Sequence, residues 1–581
     1  MTARELTAIQ KEDSGLKRSV PILSWIGRYD RRWLPVDVIA GLTLWGMVVP
    51  EAMAYAGVAG LPPQMGLYTL LASLLVYALL GTSRHLVVQA TSATAALIAS
   101  TVTAVMIATG AAADAGSIDP VAYQQYAVAF VLVVGGVFLI AGAARLGFIT
   151  QFLSKPVMSG FVTGLAVFVA VGQLNKLFGV PKGQGNTLQK LGAIIRELPD
   201  ANWITFAIGA SALALLFLIP RLNKKLPAGL IVLFGYIALS TALALNATYN
   251  VDVVGELPKG LPSISLPAVG FDALLAMIAP AIGVLLLAFS EALGVGHEFA
   301  EKHGYEVDAN QELTAHAVAN LASGLFGGMI AAGSMSASAV KEAAGARSQV
   351  ANLVTWLATI VTVLFLTPLF KSLPEAVLGA LIIHAVWHII ASRKLRRIRL
   401  ESRAEFWLGV LTFAGVILID VLQGMLLGLI CSLLFFIYKS IRPHLSQLGR
   451  APGGGGAWAD VGRHPENSPV PGVLILRLDA PLYYANALTV ADRVKELVAE
   501  ARPRPEAVLF DAATQDELDI TSAEVLASLF KGLRDQGIAI YLADVHAPVW
   551  AFAVKMGLDK LVSEAQVYPS VEAAVQAITR E

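Results

Sequence analysis

From Val36 to about Tyr438 the chain alternates long apolar runs with short polar breaks. The run Ala273–Ser290 has no charged residue and is long enough, as a helix, to cross roughly 30 Å of hydrocarbon. Similar runs lie near 36–54, 65–80, 123–143, 156–178, 203–220, 227–245, 310–330, 350–370, 374–392, 405–420 and 421–438. Two shorter stretches rich in small residues, 90–107 and 334–346, are too polar for ordinary spans. Twelve full spans and two short ones make fourteen. After Arg450 the pattern changes. Residues 451–469 hold Gly453–Gly456, three prolines and scattered polar residues, the composition of a flexible linker. Beyond it, strand-like runs at Val473–Leu478, Ala507–Phe510, Ile538–Leu542 and 566–568 alternate with helical patterns at 488–501, 522–536, 547–556 and 571–580. That alternation predicts a small, mostly parallel α/β domain. The expected division is 1–35 as an N-terminal segment, 36–445 in the membrane, 446–469 as linker and 470–581 as a soluble domain.

Composition supports this division. Of the 581 residues, 56% are hydrophobic and 14% charged. Soluble domains average roughly 45–50% apolar and about 25% charged. Cys431 is the one cysteine, so no internal disulfide is possible. Lys+Arg and Asp+Glu each total 42, which leaves no basic excess to attract nucleic acid. The basic, polar first 35 residues lack the apolar run and small-residue cleavage site of a signal peptide. An even number of spans puts both termini on one side. Placing them in the cytoplasm gives the inner loops Arg84, Arg145, Arg221, Lys224, Lys225, Arg347 and the cluster Arg393–Arg403, as the positive-inside rule requires. The segment 176–196, with Lys176, Lys182, Lys190 and Arg196, is the exception.

Two carboxylates interrupt the apolar runs. Glu51 follows Pro50, and Glu291 follows Ser290. About forty residues beyond each comes a short hydroxylated segment, Gln89-Ala90-Thr91-Ser92-Ala93-Thr94 and Gly333-Ser334-Met335-Ser336-Ala337-Ser338. This is weak internal symmetry between the chain halves. It is expected of a transporter built from inverted repeats with its site at their interface. Half-helices that begin inside the membrane aim free N–H groups at one point, and each start acts as roughly half a positive charge. Two such starts can hold an oxyanion without a full positive charge, with hydroxyls of Thr91, Ser92, Ser334, Ser336 and Ser338 as added donors. Burial favours the neutral form of a carboxyl group, so Glu51 is suited to carry a proton, with Glu291 in support. Bland readings stand beside these. Either glutamate could lie at headgroup level, and the Ser/Ala/Thr segments could be packing faces. His384 and His388 lie four apart on a helix face, but no third ligand is near, so no metal site is expected. Gly453–Gly456 is followed by no Lys-Ser/Thr and is no phosphate loop.

These residues resemble the SulP family of anion transporters, the sulfate-permease or solute-carrier-26 type. Val49-Pro50-Glu51-Ala52-Met53-Ala54-Tyr55, Ala59-Gly60-Leu61-Pro62-Pro63 and Gly66-Leu67-Tyr68 look like its first-helix signature. Gly81-Thr82-Ser83-Arg84-His85 is similar to the approach to its third helix. Three more stretches, Ala300–Tyr305 with Asp308–Leu313, Ala319–Leu321 and Lys341–Gln349, resemble its later helices. The C-terminal domain resembles a STAS domain, with Ala480–Ala487 like its opening hairpin and Asp519-Ile520-Thr521-Ser522-Ala523 like its helix-start motif. The resemblance implies an all-α polytopic membrane domain. Its fourteen segments would form a seven-plus-seven inverted repeat, split into core and gate domains, with a small α/β STAS domain appended. It also implies substrate between the third and tenth helices, and a homodimer. In two places the chain departs from the pattern. Glu51 stands where many members have Gln, and Ala337 where many have Arg. The first adds a titratable group, and the second removes a positive charge from the anion site.

The leading expectation is therefore no enzyme. It is a secondary transporter of the cytoplasmic (inner) membrane, symporting protons with a small oxyanion, sulfate-like, or a carboxylate, by an elevator-type movement. Glu51 and Glu291 would serve proton coupling, and Thr91, Ser92, Ser334, Ser336, Ser338 and Tyr55 the anion. No cofactor is implied; the partners are the small anion, protons and membrane lipid. The alternatives are an uncoupled bicarbonate or chloride transporter, and a membrane sensor whose STAS domain binds a cytoplasmic regulatory partner. In that domain Asp519, Thr521 and Ser522 are candidate regulatory residues. In related anti-sigma antagonists a hydroxyl here is phosphorylated, while a plain N-cap by Asp519 or Thr521 accounts for the same residue types.

Overall fold

The computed structural model describes residues 20–148, 154–181, 183, 185–223, 228–258, 260–390, 394–453 and 456–580. The chain divides into two compact units between Ser432 and Leu433.

In the first unit the apolar runs are helices. They are α1 Leu34–Val58, α2 Pro63–Leu80, α3 Ser92–Ala108, α4 Pro120–Ala143, α5 Lys155–Phe178, α6 Trp203–Leu222 and α7 Ala228–Leu243. The second half repeats the count: α8 Phe271–His303, α9 Ala309–Leu325, α10 Met335–Ala343, α11 Val350–Val361, α12 Glu375–Ile390, α13 Arg403–Leu418 and α14 Val421–Ile441. Eight of the described helices are long and apolar enough to cross a membrane. The division between units falls inside α14. The two shortest expected spans are the two that a strand precedes. Strand β1, Val87–Gln89, leads to α3, and strand β2, Ala332–Ser334, leads to α10. β1 and β2 pair antiparallel, Val87 opposite Ser334 and Gln89 opposite Ala332. The chain therefore leaves the ladder at opposite ends, and one half-helix begins at each. This is the inverted repeat in its smallest form.

Broken helices at this depth need their backbone groups satisfied inside the protein. Every residue of both strands is buried. Side chains close most of the gaps around them. Ser73 donates to the carbonyl of Val88, and Gln349 Nε2 to that of Leu86. Asn320 holds both the N–H and the carbonyl of Ala331, and Thr69 Oγ1 accepts from Met329 N–H.

The helices pack in two sets. α1, α2, α4, α9 and α11 pack most heavily on one another, and α5, α6, α12 and α13 do the same. Small residues permit the closest approaches. A Cβ on Gly66 of α2 would lie 2.0 Å from the carbonyl oxygen of Ala52 of α1. A Cβ on Gly160 of α5 would lie 2.0 Å from that of Gly409 of α13. These two sets are the core and gate of the membrane unit.

The second unit holds a six-stranded sheet in the order β4-β3-β5-β6-β7-β8. Its strands are β3 Leu445–Arg450, β4 Trp458–Asp460, β5 Val473–Leu478, β6 Ala507–Asp511, β7 Ala539–Ala543 and β8 Val567–Tyr568. β5 to β8 run parallel, and β3 and β4 close one side antiparallel. Helices α15 Ala487–Glu500, α16 Ile520–Asp535, α17 Ala547–Lys555 and α18 Val571–Ile578 cover it. Alternation along β5 explains the layers: Leu474, Leu476 and Leu478 join one core, while Ile475 joins a second with Val571 and Val575.

Two expectations need correction here. Within 446–469, residues 446–450 and 458–460 are strands of the sheet rather than linker. Ser446 and Leu448 are buried within β3, Asn467 Nδ2 donates to the carbonyl of Ala459, and Ser468 pairs with Arg450. The glycine-rich stretch falls between two paired strands, β3 and β4, rather than at a boundary between domains. Nor is Ala480–Ala487 a hairpin. It is the turn from β5 into α15, closed by the Asn486 side chain, which accepts from Tyr483 N–H and donates to the carbonyl of Pro481.

Candidate functional site

Glu51 lies just past Pro50, inside α1, and is 8% exposed. Its two oxygens are each held by one donor. Tyr55, one turn on, donates its hydroxyl to Oε1 at 2.7 Å. Gln89, the last residue of β1, donates Nε2 to Oε2 at 3.0 Å. Two residues after Gln89, Thr91 caps α3 in a capping box. Thr94 N–H donates to Thr91 Oγ1 at 3.2 Å, and Thr91 N–H to Thr94 Oγ1 at 3.0 Å. Glu51 is thus joined through a single side chain to the start of the first half-helix.

The second half-helix is capped more simply. Ser334 Oγ accepts from Ala337 N–H at 3.3 Å and shares a 3.2 Å hydrogen bond with Ser336. Ser338 is fully buried, and its hydroxyl accepts from Val87 N–H at 2.9 Å. It holds β1 in place. Ser92, the first residue of α3, is half-buried. Glu291, half-buried in α8, makes no hydrogen bond among the described residues.

A cavity of about 680 Å³ opens beside Glu51. Thr43, Pro50 and Glu51 of α1 and Ser336 and Val340 of α10 line one wall, and Leu216 of α6, Leu230 of α7 and His384 of α12 line the other. It lies between the core helices and those packed across from them. Its described lining includes no lysine or arginine. His384 rests edge-on against Phe217, 4.6 Å between ring centres, and the side chain of His388 lies outside the described residues. Among the described residues no group of three His, Cys, Asp or Glu could hold a metal ion.

Three residues to which the sequence assigned no role stand out. Asp37, in the first turn of α1, is fully buried and accepts from Arg347 N–H at 2.7 Å, Ser348 Oγ at 2.8 Å and Tyr29 Oη at 3.0 Å. Lys341 of α10 is also fully buried, and its Nζ has no hydrogen-bond partner among the described residues. It sits with Ala337 and Ser338 on the buried face of α10, and none of the three lines the cavity. Gln89 is the third. The signal for each was a polar residue beside an otherwise apolar or small-residue stretch.

In the second unit Asp519 is the N-cap of α16. Its carboxylate accepts from Ser522 N–H at 3.0 Å and Ser522 Oγ at 2.7 Å. Ser522 is buried and Thr521 exposed. Burial pushes the Asp519 carboxyl up, but hydrogen bonds from Ser522, with smaller ones from the Tyr484 and Thr521 backbone, together outweigh it and leave the group below the usual carboxylate range. A separate cavity of about 110 Å³ is walled by core residues such as Leu476, Val494, Phe510 and Trp550.

Against known proteins, residues 34–412 match the Sulfate permease family and residues 464–574 the STAS domain. The "Probable sulfate transporter Rv1739c" of Mycobacterium tuberculosis is 33% identical over 552 residues, covering 95% of this chain and 96% of that one. The chain therefore belongs to the sulfate permease family. The structure of the murine Solute Carrier 26 family member A9 anion transporter in the inward-facing state superposes with a TM-score of 0.87. That match is 22% identical and covers 100% of this chain and 98% of the other. The transmembrane domain of the cyanobacterial bicarbonate transporter BicA has the same fold, with a TM-score of 0.59 at 22% identity, over 70% of this chain and 98% of that domain.

Proposed function

We propose that this protein is a secondary transporter of a small anion, an inorganic oxyanion such as sulfate or a small carboxylate, driven by proton symport. The observation that carries the reading is Glu51. It stands in the cavity wall, and the strand residue that binds it is two positions before the capped start of α3. Charge arithmetic supports the coupling. Two helix starts supply about one positive charge together. That charge is balanced either by ionised Glu51 in the empty site or by one negative charge on a bound anion with Glu51 protonated. Proton and anion then enter together. Thr91, Ser92, Ser334, Ser336 and Tyr55 are the proposed anion donors, with Glu291 in support. Ser338 serves the strand instead.

The heavy packing within each helix set, with a cavity between them, supports an elevator-type shift of core against gate. The inner membrane, cytoplasmic termini, a homodimer and a regulatory role for the STAS domain complete the reading. The bicarbonate transporter of like fold keeps an uncoupled bicarbonate pathway as the second reading. Proteoliposomes test both. Wild-type protein is screened with labelled sulfate, bicarbonate, chloride and dicarboxylates, with and without an inward proton gradient. Uptake that ignores the gradient overturns the symport, and no flux of any anion points to a sensor.

A further inference from the structure

Gln89 is fully buried, with both amide ends enclosed. Nε2 is taken by Glu51, while Oε1 has no donor within reach among the described residues. A buried amide acceptor without a donor is costly, and a folded protein keeps few of them. The arrangement suits one protonation state of its neighbour. A carboxylate only accepts, and Tyr55 and Gln89 give each of its oxygens one donor. A carboxylic acid must also donate one. Half a turn of the Gln89 amide exchanges its ends. Oε1 then accepts from the new Glu51 O–H, and the NH₂ group stands where the orphaned oxygen stood. The only bond formed or broken besides hydrogen bonds is the O–H of Glu51, made with the incoming proton.

From this we infer that Gln89 is the coupling switch between the proton site and the anion site. The inference rests on Glu51 as the proton carrier. With Glu51 ionised, Gln89 presents an acceptor two residues before Thr91, and an acceptor repels an anion. With Glu51 protonated, it presents a donor there, and a donor attracts one. Gln89 is a positioning residue that acts through Glu51. The other titratable groups around it are Tyr55 on the same helix, Glu291 on α8 and His384 across the cavity on α12. Lys341 of α10 and Asp37 of α1 do not line the cavity.

The test uses full-length protein in proteoliposomes and the anion that wild type takes up most strongly. Gln89→Met keeps the shape and removes both amide ends. Gradient-driven accumulation should fall about tenfold, the worth of one hydrogen bond to a charged group, and anion-for-anion exchange, which loses only the donor of the protonated state, should fall less. In a Glu51→Gln background the same change should have no further effect on coupling. Accumulation lost in Glu51→Gln but kept in Gln89→Met overturns the switch and leaves Glu51 standing. Accumulation kept in Glu51→Gln overturns both. Infrared difference spectra of wild type between neutral and acid pH give a readout that needs no Gln89 variant to fold. A carboxyl C=O band should appear together with a shifted side-chain amide band, and both should vanish in Glu51→Gln. A carboxyl band without the amide band overturns the switch.

Discussion

The two halves of the membrane unit reuse one backbone frame with different chemistry. In each, a proline-containing helix carries a glutamate, and a short strand leads into a half-helix. In the first half the glutamate has both oxygens bound and faces the cavity. In the second half Glu291 has no hydrogen bond among the described residues and does not line the cavity. The half-helix starts differ too. Thr91 and Thr94 cap reciprocally, whereas Ser334 accepts one long bond above a buried lysine. A repeat duplicates where the backbone goes. It does not duplicate what the side chains do there, so each half can take one part of a coupled reaction.

The largest expected effect breaks that asymmetry directly. Glu51→Gln should lower gradient-driven accumulation by more than about tenfold while anion exchange persists, and Glu291→Gln should change it by less than about threefold. Equal losses in both variants would mean that the two carboxylates share the proton. The second test separates serines on one helix. Ser338→Ala leaves the buried Val87 N–H without its partner and should cost about 1–3 kcal/mol of stability, read as a lower Tm, with anion affinity unchanged. Ser336→Ala should do the reverse, weakening affinity at constant Tm, because its side chain faces the cavity.

Lys341 sharpens the comparison further. Its side-chain amine, without a hydrogen-bond partner among the described residues, has no lysine counterpart in the first half-helix, α3. Lys341→Met is of similar length and should hold or raise the Tm, by about 1 kcal/mol of stability. A clear drop in Tm would show that the ammonium has a bound partner. The smallest effect lies outside the membrane, at a third helix start. Asp519→Ala should cost about 1 kcal/mol in the STAS unit. Because the folded carboxyl sits below its unfolded value near about 4, its contribution is complete above that pH and is lost as pH falls through the folded value. Melting curves of wild type and variant should therefore converge in acid.

Most of the architecture was legible because the membrane admits so few solutions. Apolar length gave twelve of the fourteen helices, and the polar, small-residue character of 90–107 and 334–346 marked the two that begin inside the protein. Glu51 and Thr91 could be singled out because a carboxylate in an apolar run and a hydroxyl before a helix are each informative alone. The stretch 446–469 was misread as a linker for the opposite reason. Gly453–Gly456 reads as a linker by composition, yet β3 precedes it and pairs with β5, a partner that begins more than twenty residues later.

What the sequence determined by itself was local: which segments must avoid water, which must end in caps, and which residues are too polar for their surroundings. Each follows from a residue and its near neighbours along the chain. The tertiary structure alone decided the pairings across long separations. It placed Gln89 against Glu51, 38 residues away, and Ser338 against Val87, 251 away. It also left Lys341 enclosed with no hydrogen-bond partner among the described residues. Hydrogen bonds depend on distances of a few tenths of an ångström between atoms that the chain brings together only when folded. No periodicity in the sequence carries that information.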